Sequence, residues 1–370
     1  MASASKPAVS RIDKIDITAC TIPTDLPESD GTLEWDKTTI VIVEVKSGGT
    51  SGLGYTHADV STAKLIDSLL RGVVEGRDPM DVSGSWMAMV QSVRNLGRPG
   101  IASMAISAVD IALWDLKARL LRLPLVKLIG SVRGGIPAYG SGGFTSYSLE
   151  QLQRQLADWI GSGIRMVKMK VGRRPDDDRE RVRSAREAIG NDAGLFVDAN
   201  GAYSRKQALR LAHEFREMGV SWFEEPVSSD DLEGLRLIRD QGPAGMDIAA
   251  GEYGYDANYF RTMLQAGAVD VLQADATRCG GITGFLQVGA LCSARSLPLS
   301  AHTSPAIHMH VCCGLIEAVH VEYFHDHVRI ENMLFDGVQQ PQSGGLHPDV
   351  TRDGLGLVVR RADLSRYIVR

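Results

Sequence analysis

Two lysines stand two positions apart in the short apolar segment 165–171 (RMVKMKV). The length and apolar character of this segment predict a β-strand, in which successive side chains point to opposite faces. Lys168 and Lys170 would therefore share one face of the strand. An antiparallel strand with one face in water would explain the pair without any chemistry. A catalytic role requires carboxylates or an anionic substrate opposite the two ammonium groups.

Acidic groups and a histidine end most of the other strand-like segments further along the chain. They are Asp198 (FVDAN), Glu224 and Glu225 (WFEEP), Glu252 (AAGE), Asp275 (QADA), His302 (SAHT) and Glu322 (HVEYF). Each of them alone is explained by a structural role, such as a helix N-cap or a hydrogen-bonded histidine. The set is more informative than any single residue. Burying many unpaired charges in one cavity costs much free energy, so such a set is expected only where the charges are paired.

The elements that would bring these residues together alternate regularly from about residue 137. The strand-like segments are PAYGSGG, RMVKMKVG, GLFVDANG, SWFEEP, DIAAGE, DVLQADA, LPLSAHT and EAVHVEY, with helix-like stretches between them. Such alternation predicts βα units and a parallel sheet, and eight units close naturally into a barrel. In a barrel the carboxyl ends of all strands meet at one mouth. Residues 11–60 are β-rich, residues 62–130 are helical, and the tail lies outside this rhythm.

Three of the carboxylates come from adjacent strands of the predicted barrel. Asp198, Glu224 and Glu252 are hard oxygen ligands, which suit one octahedral Mg²⁺ with positions left for water or substrate. The two lysines would then face a dication and its anionic substrate. This arrangement favours the catalytic interpretation of the lysine pair.

These residues resemble the motifs of the enolase superfamily, specifically its mandelate racemase-like subgroup. Residues 105–130 (AISAVDIALWDLKARLLRLPLVKLIG) are similar to a signature of the helical cap, and KMK is similar to the catalytic K-x-K motif. The resemblance implies a (β/α)7β TIM-like barrel with an α+β N-terminal capping domain that the C-terminal segment completes. It implies the domain boundaries 1–133, 134–335 and 336–370. It also implies that residues 20–60, including the lid segment 25–36 (DLPESDGTLEWD), close the barrel mouth.

The resemblance further implies abstraction of the proton α to a carboxylate, with Mg²⁺ as the cofactor. Lys170 would be the base, with a pKa lowered by the metal and by Lys168, and Lys168 would stay protonated and bind the substrate carboxylate. His302 would face the other side of the α-carbon and be oriented by Asp275. Glu322, if protonated, would donate a hydrogen bond to the substrate carboxylate.

Four further residues are candidates for substrate contact or for support of the site. Asn200 and Glu225 either support the metal ligands or cap loops, and Arg278 either reaches the substrate or caps a helix. His308 is expected near the cavity, whereas His310 is assigned a structural role. The segment 325–327 (HDH) is expected to be a polar loop, and none of the five acids in the lid segment is expected to touch an anionic substrate.

Composition excludes several classes of protein. A net charge of −5 and a pI near 6.0 argue against a nucleic-acid partner. No apolar run is long enough to cross a bilayer, and the N-terminus lacks the apolar core of a secretory signal. The five cysteines follow no C-x-x-C spacing, which predicts reduced thiols, a cytoplasmic location and no structural zinc. The chain is also expected to form a homo-oligomer.

Three functions fit these observations. The primary prediction is dehydration of a sugar acid to a 2-keto-3-deoxy acid, and the alternative is racemisation or epimerisation of an α-hydroxy acid. A non-catalytic binding protein on a barrel scaffold is the third. The substrate of either enzyme would be a small carboxylate, recognised by the lid and by residues 139–148 (YGSGGFTSYS).

Overall fold

The computed structural model describes residues 11–369. The N-terminal part begins with an antiparallel sheet of three strands, in the order β1 (Lys14–Ser29), β2 (Glu34–Ser47) and β3 (Thr50–His57). Apolar residues occupy both faces of β2. Val41 and Val43 pack into the core of the capping domain, whereas Ile40 and Ile42 belong to the larger core that includes the barrel. Because side chains alternate along a strand, a sheet placed between two cores is apolar on both faces.

Helices cover the other side of this sheet. The longest is buried along most of its length, as expected for a helix packed between two layers. The helices are α1 (Val60–Leu65), continued through a π-helical turn (Ile66–Leu70) into α2 (Arg71–Val74), then α3 (Val82–Ser92), α4 (Ile101–Leu120) and α5 (Leu125–Ile129).

Eight parallel strands form a closed barrel. The last strand pairs in parallel with the first, which removes both sheet edges. The strands are β4 (Ile136–Gly142), β5 (Met166–Lys170), β6 (Gly194–Asp198), β7 (Val220–Glu224), β8 (Asp247–Ala250), β9 (Val271–Ala274), β10 (Leu299–Ala301) and β11 (Ala318–Phe324).

Helices connect successive strands of the barrel. Several begin with a side-chain cap, and Ser148 and Ser204 each form a capping box with a glutamine three residues later. The helices are α6 (Leu149–Gly161), α7 (Pro175–Ile189), α8 (Arg205–Glu217), α9 (Leu232–Gln241), α10 (Ala257–Ala266), α11 (Gly281–Ser293), α12 (Pro305–Cys312) and α13 (His325–Leu334).

The C-terminal segment returns to the earlier parts of the chain. Its elements are β12 (Phe335–Asp336), β13 (Gly345–Leu346), β14 (Val358–Val359) and α14 (Arg361–Leu364). β13 pairs with the beginning of β4, and the backbones of Tyr367 and Val369 hydrogen-bond to β1. The predicted fold class is therefore confirmed. The boundaries at 133/134 and 335/336 stay predictions. Within residues 11–369, no helix has both the length and the apolar character that a membrane span requires.

Asp115 joins three of these parts. It is fully buried on α4 and accepts hydrogen bonds from Leu53 N at 2.6 Å, Leu355 N at 2.6 Å and Arg119 Nε at 2.7 Å. We expect Asp115→Ala to lower the free energy of unfolding by about 3–5 kcal/mol, because it breaks a buried ion pair and strands two amides. Urea denaturation measures this loss.

A matched control is available on the surface. Asp67 forms the same type of i,i+4 pair with Arg71, but its side chain is 60% exposed. Asp67→Ala should cost roughly 0–1 kcal/mol, since exposed pairs contribute little. Equal losses in the two variants would contradict the role given to Asp115.

Candidate active site

A cavity of about 430 Å³ lies at the mouth of the barrel beneath the capping domain. The carboxyl ends of the strands supply one side of it, and the lid segment and the end of β3 supply the other. Of the twelve predicted site residues, six line the cavity: Lys170, Asn200, Glu252, Arg278, His302 and Glu322. The others lie beneath or behind this wall.

Asp198, Glu224 and Glu252 form one cluster. Each offers a carboxylate oxygen, and these oxygens all lie within 4.8 Å of one another in a buried position. The strands create this proximity, because Asp198 pairs directly with Glu224 across β6 and β7. Burial, followed by the negative charge of Asp198, raises the pKa of Glu224 well above its ordinary value. Three hard oxygen donors that repel one another are the donor set that Mg²⁺ fits.

The two lysines lie among these carboxylates. Lys168 Nζ is 2.6 Å from Glu224 Oε1 and 2.9 Å from Glu322 Oε1, and Lys170 Nζ is 2.5 Å from Asp198 Oδ2. Burial by itself would lower the pKa of Lys168, but the charges of Glu224 and Glu322 outweigh it and raise that pKa well above its ordinary value. Both lysines share one face of β5, as predicted, and that face is the buried interior of the barrel mouth.

The expected lowering of the Lys170 pKa does not occur in the protein chain alone. Burial and Lys168 both act to lower this pKa, but the adjacent Asp198 carboxylate outweighs them and raises it. The prediction attributed the lowering to the metal and to Lys168, and in the protein chain alone the charge of Asp198 outweighs that of Lys168. A dication bound by the same carboxylates would oppose this increase.

His302 and Asp275 form a hydrogen-bonded pair. His302 Nδ1 lies 3.0 Å from Asp275 Oδ2, and His302 Nε2 lies 3.3 Å from Glu252 Oε2, an oxygen of the carboxylate cluster. The other oxygen of Asp275 accepts hydrogen bonds from the backbone N–H and hydroxyl of Thr277. Burial acts to raise the pKa of Asp275, but the hydrogen bond and charge of His302 hold it well below its usual range. Asp275 therefore stays ionised and directs the Nδ1 proton of His302.

Glu322 would donate a hydrogen bond to the substrate only in its protonated form. Its Oε2 accepts a hydrogen bond from Thr303 N at 3.0 Å, and its Oε1 contacts Lys168. Burial acts to raise the pKa of Glu322, but Lys168 and His302 outweigh it and lower the pKa to about 2. In the protein chain alone, the neighbouring Lys168 ammonium group thus favours the ionised form of Glu322, which accepts hydrogen bonds.

Three of the four further candidates, Asn200, Arg278 and Glu225, have different surroundings in the structure. Asn200 Oδ1 accepts a hydrogen bond from Lys170 Nζ at 3.1 Å, and Arg278 Nη1 donates to the backbone oxygen of Glu252 at 3.1 Å. Glu225 is buried with a left-handed backbone (φ 37°), and burial followed by Glu252 raises its pKa well above the ordinary value. Asn200 and Arg278 thus position groups of the site and also line the cavity, whereas Glu225 lies behind the cavity wall.

His308 does not reach the cavity. It is fully buried on α12, its Nε2 accepts a hydrogen bond from Ala276 N at 2.8 Å, and its Nδ1 lies 2.7 Å from the backbone oxygen of Thr303. Accepting at Nε2 and donating at Nδ1 requires the neutral tautomer. His308 thus links the loops that carry Asp275 and His302.

Two histidines of the cavity wall were missed by the sequence analysis. The rings of His57 and His327 stack with centroids 3.5 Å apart, and both residues line the cavity. The prediction that residues 325–327 form a polar loop is wrong, because this segment begins α13 directly after β11 and His327 is buried. His327 follows the last barrel strand in the sequence, and this position could have predicted its place at the barrel mouth, where the strands end.

The lid segment folds over the cavity and contributes Asp30, Leu33 and Trp35 to its wall. The Asp30 side chain accepts hydrogen bonds from the backbone of Thr32 and Leu33, so its carboxylate stabilises its own turn. The lid rests on the predicted specificity segment 139–148: Thr145 hydrogen-bonds to Ser29 and to the backbone oxygen of Asp30. Segment 139–148 therefore supports the lid and does not line the cavity.

This fold and site define the class of capped (β/α)-barrel enzymes that bind a divalent metal at the strand ends. The family model described as "Enolase C-terminal domain-like" matches residues 151–363, and the "Mandelate racemase / muconate lactonizing enzyme, N-terminal domain" model matches residues 17–130. The chain belongs to the mandelate racemase/muconate lactonizing enzyme family of the enolase superfamily.

Two relatives have been named for their reactions. A 3,6-anhydro-alpha-L-galactonate cycloisomerase from Streptomyces coelicolor is 34% identical, over 84% of this chain and 86% of the relative. An L-talarate/galactarate dehydratase from Salmonella typhimurium is 30% identical, over 94% of this chain and 89% of the relative.

Solved structures agree with the fold and with the metal site. A mandelate racemase/muconate lactonizing enzyme-like protein from Rubrobacter xylanophilus is 54% identical with a TM-score of 0.95, covering 97% of this chain and 100% of that chain. A racemase from Streptomyces coelicolor with bound magnesium is 30% identical with a TM-score of 0.91, again covering 97% and 100%. Together with the carboxylate cluster, these structures support Mg²⁺ as the cofactor of this protein.

Proposed function

We propose that this protein dehydrates a sugar acid to a 2-keto-3-deoxy acid. The observation that carries the proposal is the placement of Lys170 and His302 on the wall of one cavity, from strands β5 and β10, which are not neighbours in the barrel. The metal carboxylates come from the three strands β6, β7 and β8 that follow β5. A substrate held by its carboxylate at this cluster is accessible to an acid–base group on each side. The named dehydratase among the relatives supports the same chemistry.

Lys170 is assigned the base. The neutral amine of Lys170 takes the proton from C2 onto Nζ and becomes an ammonium group; a cation bound by Asp198 would favour the neutral form, because it opposes the carboxylate charge that raises the Lys170 pKa. Asn200 and Asp198 contact that nitrogen and position it. Lys168 holds the substrate carboxylate with its ammonium group, a role consistent with its raised pKa. When bound by Asp198, Glu224 and Glu252, Mg²⁺ supplies positive charge that stabilises the negative charge developing on the substrate carboxylate.

His302 is assigned the acid. It donates a proton from Nε2 to the hydroxyl that leaves C3, so that the C3–O bond breaks and water departs. Asp275 stabilises the protonated imidazole through Nδ1. The enol that remains then ketonises: C3 takes a proton from solvent and the C2 hydroxyl releases its proton, so that the net change is the loss of one water. Arg278 keeps Glu252 and Asp275 in place from one side of the cavity.

Two other reactions use the same residues. Racemisation or epimerisation at C2 would return a proton to C2 from His302 with the C3 hydroxyl retained. A cycloisomerase reaction is a further candidate, because the relative that is 34% identical is named for one. A cytoplasmic location and a homo-oligomeric state stay predictions from the sequence.

Proton exchange in D₂O, followed by NMR, separates these reactions. With a panel of mono- and diacid sugars, their lactones and 3,6-anhydro sugar acids, the wild type should release a 2-keto-3-deoxy acid. We expect His302→Asn to lower keto-acid formation by about 10²–10⁴-fold, while Lys170 still exchanges the C2 proton with deuterium. The exposed His213 provides the control, since His213→Asn should leave both rates unchanged.

Two outcomes would contradict the dehydratase assignment. Inversion at C2 with no keto acid in the wild type would establish an epimerase. Opening of an anhydro ring or a lactone as the dominant reaction of the panel would establish a cycloisomerase.

A further inference from the structure

A second cluster of metal-binding side chains lies outside the active site, where the lid segment meets the barrel. Asp25 and Glu28 come from β1, and His325 is the first residue of α13. One ligand atom from each lies within 4.8 Å of the others. The His325 Nε2 atom is 2.9 Å from Asp25 Oδ2. None of the three lines the catalytic cavity.

Glu28 supplies an independent sign that a ligand belongs here. The residue is fully buried, and its Oε2 accepts a hydrogen bond from Trp35 Nε1 at 2.8 Å. Its Oε1 has no hydrogen-bond partner among residues 11–369. The same holds, within that range, for Oδ2 of the fully buried Asp326, whose Oδ1 accepts from Arg329 at 2.6 Å. Two buried carboxylates with a free oxygen in one region are costly unless a cation or proton satisfies them.

The charge of this region matches a dication. Asp25, Glu28 and Asp326 carry three negative charges when ionised, and Arg329 carries one positive charge, which leaves a net charge of −2 with His325 neutral. Asp25 and His325 are 43% and 25% exposed, so an ion can enter from solvent without passing through the catalytic cavity.

We propose that Asp25, Glu28 and His325 bind a divalent transition-metal ion that fastens the lid to the barrel. An imidazole beside two carboxylates selects Zn²⁺ or a similar first-row ion, whereas the all-oxygen cluster of Asp198, Glu224 and Glu252 selects Mg²⁺. The ion would connect β1 of the capping domain with α13, two residues before the cavity-lining His327. It would therefore hold the cavity closed from outside without touching the substrate.

Zn²⁺ itself is the probe for this site. Because Zn²⁺ can also occupy the Mg²⁺ carboxylates, we expect equilibrium dialysis with elemental analysis to find two Zn²⁺ ions per wild-type chain. Glu28→Gln and His325→Gln should each bind one Zn²⁺, at the active-site carboxylates. Glu224→Gln should also bind one, at the intact cluster of Asp25, Glu28 and His325. His213→Gln, on an exposed surface of α8, should keep both ions.

The hydrogen exchange of the lid shows which ion was lost. Zn²⁺ should slow exchange in residues 24–35 of the wild type and of Glu224→Gln, but not of His325→Gln. The fluorescence of Trp35 gives a second signal, because Trp35 donates a hydrogen bond to Glu28. Zn²⁺ binding should change this emission in the wild type, and the change should be absent in Trp35→Phe. Retention of two ions by both Glu28→Gln and His325→Gln, or binding of a single ion that Glu224→Gln abolishes, would overturn the proposal.

Discussion

Glu224→Gln is expected to abolish turnover while the barrel stays folded. The substitution keeps the size of the side chain and removes one of the three carboxylate charges that would hold Mg²⁺. Several kcal/mol of transition-state stabilisation depend on the metal, so we expect turnover to fall by roughly 10³-fold or more. Steady-state kinetics measures the loss of turnover, and titration calorimetry with Mg²⁺ measures the loss of metal affinity.

The exposed Glu217 on α8 is the matched control for this change. Glu217→Gln should leave both turnover and Mg²⁺ affinity within experimental error of the wild type. Circular dichroism of Glu224→Gln should show an unchanged barrel, because the amide still fits beside Trp222 Nε1, which donates to Glu224 Oε2 at 3.0 Å. Full activity of the wild type in excess chelator, with no metal detected by elemental analysis, would refute the role of the cluster.

Lys170→Met should have an effect of similar size on turnover and an unusual effect on stability. Loss of the proposed base should lower turnover by about 10²–10⁴-fold. The variant should also be less stable than the wild type in EDTA, because the fully buried Asp198 loses its partner at 2.5 Å. Added Mg²⁺ should then stabilise the variant more than the wild type, since binding to the folded state no longer competes with the Lys170 ammonium group.

Thermal unfolding at several Mg²⁺ concentrations tests this linkage. Lys206→Met, at an exposed position of α8, should show the wild-type response to Mg²⁺ and wild-type turnover. If Lys170→Met retained turnover, Lys170 would be a structural residue that neutralises Asp198. If Lys170→Met lost turnover but was stabilised by Mg²⁺ only as much as the wild type, the expected electrostatic coupling between Lys170 and the metal site would be absent.

These expectations revise one part of the sequence-based reasoning. The like charges of Lys168 and Lys170, taken by themselves, would repel each other, so that their removal would be stabilising or neutral. In the folded chain each ammonium group instead contacts carboxylates, and Lys168 lies within 3 Å of both Glu224 and Glu322. The stability of the metal-free protein should therefore decrease when either lysine is lost.

The sequence by itself determined the architecture and predicted which residues form the site. The regular alternation of strand-like and helix-like segments predicted a barrel, and a barrel places every strand end at one mouth. The carboxylates Asp198, Glu224 and Glu252 could be assigned to a metal because they follow adjacent strands, and adjacent parallel strands hold equivalent positions side by side. These are properties of local periodicity and chain order, which can be derived from a sequence.

Only the tertiary structure decided how charges and distant segments meet. The ionised state of Glu322 depends on Lys168, more than 150 positions away, and the stacking of His57 on His327 joins the capping sheet to the last barrel helix. Likewise, the cluster of Asp25, Glu28 and His325 spans 300 positions from its first residue to its last. Electrostatic and packing energies depend on the distance between atoms in space, and sequence separation carries no information about that distance when the contacts cross between domains.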